Sequence, residues 1–155
     1  MCYHSIKNNN GIAPPMKISE SLLWKKINSI QKTSKNWHLT RIESSTINGI
    51  PDIFGIVNGR PFWLELKANN AKNLNLTKYQ INWHMKYQSC GGVARILNAL
   101  PPQNTLELLE IREDRSLSRV SCYNTQKTFD ENLRVMLQEA SRQDLVGRIC
   151  KKSRN

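Results

Sequence analysis

Three charged side chains stand among apolar neighbours in the run from Gly49 to Lys67, GIPDIFGIVNGRPFWLELK: Asp52 near its start, Glu65 and Lys67 near its end. Charges beside a core are costly unless they are paired or coordinate something. Asn58-Gly59 between two apolar runs is a strong hairpin signal, because both residues of the two-residue turn need positive φ. With that turn Val57 pairs with Arg60, Gly55 with Phe62, and Asp52 falls opposite Glu65. Directly opposed residues have Cβ atoms about 4.5–5.5 Å apart. Two carboxylates so placed repel unless a cation sits between them, and they form a hard-oxygen site suited to Mg²⁺, with Mn²⁺ as a substitute. Glu65 and Lys67 are two apart on one strand and share a face. An ammonium there can bind a phosphate oxygen or hold a water, so the set meets the needs of metal-assisted phosphodiester hydrolysis. Singly, E-x-K is an ordinary hairpin face and Pro51-Asp52 an ordinary turn. The conjunction points to chemistry.

The elements that must position these residues follow from periodicity and caps. Ser19 is a helix N-cap with Glu20 in the first turn. Leu23, Ile27 and Ile30 then recur at helical spacing. Glu20 shares the stripe of Leu23, Trp24 and Ile27, which places it on the core-facing side. WHLTRIES reads as a strand, then a polar loop runs to Pro51 and the hairpin DIFGIV/RPFWLELK. Thr77 caps a helix, KYQINWHMKYQS, that Gly91-Gly92 closes. VARILNAL is a further strand, reached by a crossover long enough to run parallel to the Glu65 strand. After Pro101-Pro102, TLELLEI and SRVSCYN form shorter strands paired around REDRS. DENLRVMLQEASRQ has a helical period with Asp130 as its cap.

At the scale of the chain, 155 residues suit one domain with a modest core. Lys and Arg number 23 against 12 Asp and Glu, a net charge of +11. That balance favours a polyanionic partner, most often nucleic acid. No apolar run is long enough to span a membrane, and MCYHSIKNNNGIAPPMK has no signal-peptide core, so the expected location is the cytoplasm. Cys2, Cys90, Cys122 and Cys150 form no C-x-x-C pair and have no zinc-like spacing to His4, His38 or His84. They are expected as reduced thiols without zinc.

Gly49-Ile50-Pro51-Asp52, Glu65-Leu66-Lys67, Thr77-Lys78-Tyr79-Gln80 and Gly91-Gly92 together resemble the PD-(D/E)XK nuclease superfamily, most nearly its VRR-NUC and archaeal-type Holliday-junction resolvase groups. The motifs cover about a third of the chain, and about half with the first helix. The resemblance implies a restriction-endonuclease-like α/β fold, a mixed central sheet flanked by helices. It also implies a metal-dependent endonuclease that hydrolyses DNA and selects branched structures such as Holliday junctions. Asp52 and Glu65 would ligate the metal with the Leu66 carbonyl, and Lys67 would place water. Glu20 would complete the site, with Glu43 as the alternative, and Gln80 would lie beside it. Ser44 or Ser45 could approach the scissile phosphate, and Trp83, His84 and Tyr87 are secondary candidates for DNA contact. One nuclease domain would span 1–155, with 1–17 flexible, 18–100 the catalytic core and 101–155 a C-terminal addition. A homodimer acting in phage or mobile-element DNA processing is the implied setting. A sequence-specific restriction or homing endonuclease on the same fold is one alternative. A non-catalytic nucleic-acid-binding protein is the other.

Overall fold

A computed structural model describes residues 18–101, 105–124 and 129–143. The expected flexible segment 1–17 and the basic tail KKSRN lie outside the described residues. The chain runs α1 (Glu20–Lys32), β1 (Trp37–Arg41), β2 (Ile53–Val57), β3 (Arg60–Lys67), α2 (Lys78–Ser89), β4 (Ala94–Leu100), β5 (Thr105–Ile111), β6 (Leu117–Tyr123) and α3 (Phe129–Ala140). The six strands form one sheet in sequence order. Among the described residues only the β3–β4 pair is parallel, because α2 carries the chain back across the sheet between these neighbouring strands. The fold is α/β with a mixed sheet and helices on both faces, as the sequence predicts.

The Asn-Gly turn sets the register of the central hairpin. Asn58 and Gly59 take φ of 51° and 78°. Val57 then pairs with Arg60 and Gly55 with Phe62, as the turn length requires. Side chains alternate between faces. Phe62, Leu64 and Leu66 of β3 join Leu97, Leu106 and Leu108 under Leu23, Ile27 and Ile30 of α1 and Leu133, Met136 and Leu137 of α3. On the other face, Ile81 and Met85 of α2 pack against Ile96 and Leu109. Burying a side chain of this size contributes about 1.5–3 kcal/mol.

Caps fix the helix starts. Ser19 Oγ accepts from the Leu22 amide at 3.1 Å. Thr77 and Gln80 form a reciprocal capping box at the start of α2. Gly91 follows the end of α2 at φ 86°, the left-handed position that favours glycine. Asp130 is not the cap of α3; it lies within the helix, after Phe129. Residues 105–140 extend the same sheet and add α3 to the α1 layer, where Lys26 Nζ meets Asp130 Oδ1 at 2.9 Å. No helix among the described residues is long and apolar enough to cross a membrane.

Candidate active site at the carboxyl end of β3

Alternation along β3 turns Glu65 and Lys67 towards the α2 face, while Leu64 and Leu66 point into the α1 layer. Glu65 is 2% exposed. Its Oε1 accepts from Gln80 Nε2 and lies 2.9 Å from Lys67 Nζ. Gln80 uses both ends of its amide: its Oε1 accepts from the Thr77 amide at 2.9 Å while its nitrogen reaches Glu65. The cap that starts α2 therefore also aims Gln80 at the carboxylate. Glu65 Oε2 is buried and has no partner among the described residues.

The regular ladder of β2 and β3 ends at Ile53–Leu64, one step short of Asp52. Asp52 lies just before β2, and its Oδ2 accepts from the Leu66 amide at 2.8 Å. The N–H and C=O of a strand residue point to the same side, so the Leu66 carbonyl also faces the Asp52 edge. Burial raises the Glu65 pKa from 4.5 to about 7, and the Asp52 charge adds to the rise. Lys67 opposes it, and the Glu20 charge contributes a smaller further rise.

Glu20 is exposed, not core-facing as its helical stripe predicts. It is the first residue of α1, where Ile18 just before the cap fills the core position instead. Its charge nevertheless reaches Glu65. Glu43 is exposed, with Arg41 Nε at 4.0 Å. Ser44 Oγ accepts from the Ile47 amide at 3.0 Å, which closes a local loop turn, and Ser45 is exposed.

His84 is fully buried, and neither ring nitrogen has a partner among the described residues. Burial, then the charges of Arg95 and Lys67, lower its pKa to about 4, so the ring is neutral at pH 7. Trp83 and Tyr87 are half-buried and stack with ring centres 5.0 Å apart.

A residue absent from the sequence reading supports the site. Asn98 of β4 pairs in register with Lys67 and is fully buried. It donates to the Asn69 carbonyl at 2.9 Å and accepts from the Asn69 amide at 3.2 Å. It thus pins the loop that leaves Lys67. A polar residue in the apolar run ARILNAL carried the signal, but its partner is set by a parallel register that no local pattern shows.

Among the described residues no group of three or more His, Cys, Asp or Glu is arranged to hold a metal ion. A hard divalent cation still fits a smaller protein set: the unpartnered Glu65 Oε2, Asp52, and the Leu66 carbonyl on the Asp52 edge. Mg²⁺ commonly binds through one or two carboxylates, keeps several waters and takes substrate phosphate oxygens as well.

No protein-family model matches the chain, and no curated protein matches it. Among solved structures the chain is similar to Hjc, a Holliday junction resolvase from the archaeal hyperthermophile Archaeoglobus fulgidus. Sequence identity is 16%, the match covers 64% of this chain and 85% of Hjc, and the TM-score is 0.44. A match this loose is one of outline and says nothing of function.

Proposed function

We propose that the chain is a Mg²⁺-dependent DNA endonuclease that selects branched structures and acts as a homodimer. The observation that carries this reading is Glu65: a buried carboxylate at a strand end, shared on one oxygen by Lys67 and Gln80, bare on the other among the described residues, and beside Asp52. A structural carboxylate is normally satisfied on both oxygens. One left bare beside a like charge fits a site for a cation and a phosphate. The net charge of +11 fits a polyanionic substrate.

In this reading Asp52, Glu65 and the Leu66 carbonyl hold the ion. When bound, the ion polarises the scissile phosphate and lowers the pKa of water. Gln80 fixes the orientation of Glu65. Lys67 holds the attacking water or offsets charge that develops on the phosphate. Glu20 adds negative charge at the rim. Two opposed cuts at a four-way junction are most simply made by a two-fold dimer.

The test is cleavage of labelled duplex, flap, splayed-arm and four-way DNA, with Mg²⁺ or EDTA, by the wild type and by Glu65→Gln and Lys67→Ala. Cleavage that needs Mg²⁺, favours branched DNA and is lost in both variants is expected. Cleavage in EDTA, or near wild-type rates in Lys67→Ala, would overturn the mechanism. Preference for one duplex sequence would replace branch selection with sequence-specific cutting. Binding without cleavage under all conditions would leave a nucleic-acid-binding protein.

A further inference from the structure

We propose that an open aromatic face beside this site stacks an unpaired nucleotide of the DNA strand that is cut. The proposal rests on the nuclease reading and adds to it the feature of the substrate that is recognised. The same alternation that turns Glu65 towards the α2 face also turns Trp63 there, two residues back along β3. Trp63 pairs across the hairpin with Phe54, itself two residues from Asp52, and their ring centres lie 5.1 Å apart. Trp83 meets Trp63 edge-on at 5.2 Å and stacks on Tyr87. The Tyr87 ring lies against Gly92, where any Cβ would collide with it.

All four rings are half-buried, although aromatic residues of this size usually dominate a closed core. They stay open because α2 packs over β4 and β5, through Ile81 and Met85 on Ile96 and Leu109. α2 reaches β3 on that face only at its edge, through Gln80 on Glu65 and Trp83 on Trp63. Ile56, next along the same face, is 37% exposed.

Charge decides the occupant. Between Glu65 and Glu107 the sequence has no Asp or Glu, yet it carries Lys67, Lys72, Lys78, Lys86 and Arg95. Lys78 and Lys86 are exposed on α2, the helix that supplies Trp83 and Tyr87. A second copy meeting this face through a two-fold axis would bring equivalent lysines together. A polyanion meets opposite charge instead.

Spacing ties the face to the site. Two strand residues span about 7 Å, and bases along a strand repeat at about 3.4 Å. A strand with its phosphate at Glu65 and Lys67 therefore carries a base about two steps along over Trp63 and Phe54. A paired base has both faces stacked within the duplex, so the rings select an unpaired one. Such stacking tolerates any sequence because every base has a π-face.

The test is binding by the full-length protein in EDTA, where cleavage plays no part. The probes are a 12-nucleotide single strand, the same strand with one internal abasic position, and a matched duplex. Tight single-strand binding that quenches tryptophan emission is expected, with a loss of about tenfold or more at the best-placed abasic position. Trp63→Leu should lose affinity for the single strand and keep affinity for the duplex. The abasic strand gives the same answer with an unaltered protein, should that variant not fold. Equal binding of intact and abasic strands at every position would overturn the proposal. So would a dimer that Trp63→Leu dissociates without any change in strand affinity. Stacking without cleavage under any metal condition would support this inference and remove the nuclease reading; cleavage with no abasic effect would do the reverse.

Discussion

Glu65 and His84 are both buried and titratable, and burial moves them in opposite directions. The Glu65 pKa rises from 4.5 to about 7, so without metal the folded state holds a proton that the unfolded state has released. The stability tied to that proton is full below 4.5 and is lost as pH rises through 7. A shift of two and a half units is worth up to about 3 kcal/mol. Glu65→Gln should therefore raise the melting temperature of the metal-free protein at pH 8, with no gain at pH 4, as a thermal melt series would show. A cation must displace that proton, so Mg²⁺ affinity measured by calorimetry should climb between pH 5 and 7 and then level off. His84 behaves as the inverse case. Its pKa falls from 6.5 to about 4, so its contribution is full above 6.5 and is lost as pH falls through 4. His84→Met should reduce acid sensitivity in that window, again by up to about 3 kcal/mol. Between 4.5 and 6.5 the two groups oppose each other, and each variant uncovers the slope that the other group leaves.

At the scale of elements, the loop before β2 and the first turn of α2 are fitted to each other. Gly49 has φ 83°, and a Cβ there would collide with the Tyr79 carbonyl and the Gln80 amide. Gly49→Ala should cost about 2 kcal/mol or more, because it combines a strained φ with a backbone clash. The same push on Gln80 should also lower turnover, which separates it from a purely structural change at a distant surface. Denaturant melts and single-turnover cleavage would measure the two effects. This coupling was half legible in the sequence. Gly49-Ile50-Pro51-Asp52 stood out as a motif, but the partner that requires glycine lies thirty residues away. The hairpin register was readable because the Asn-Gly turn fixes it locally, and the Gln80 position because Thr77 caps the helix three residues earlier. Glu20 departs from its helical stripe because Ile18, which precedes the helix and has no place in its period, takes the core position at this end. Asn98 and the burial of His84 depend on how α2 and β4 meet β3, which is a tertiary fact with no local pattern.

For the whole molecule, charge is divided along the chain. Eight of the twelve acidic residues come at Glu107 or later, while residues 66–106 have none. DNA binding should therefore fall steeply with salt, and the slope of log affinity against log salt should shrink by about one for each phosphate-contacting lysine removed. Lys78→Gln and Lys86→Gln, read by fluorescence anisotropy from low to moderate salt, would check this. Glu113→Gln on the β5–β6 turn, which removes no cation, should leave the slope unchanged. The parallel pairing of β3 with β4 has a consequence of another kind, for how the protein folds. The β2–β3 hairpin closes through two residues, whereas β3 meets β4 only after residues 68–93 have been laid across the sheet. Loop closure over that distance must precede the contacts that reward it, and such non-local pairing is slow. Asp52 and the carboxyl end of β3 therefore come together early, while Gln80 and Asn98 arrive with the slower crossover. Conservative substitutions in β4 should slow refolding, whereas those in α3, which docks on a finished sheet, should mainly speed unfolding.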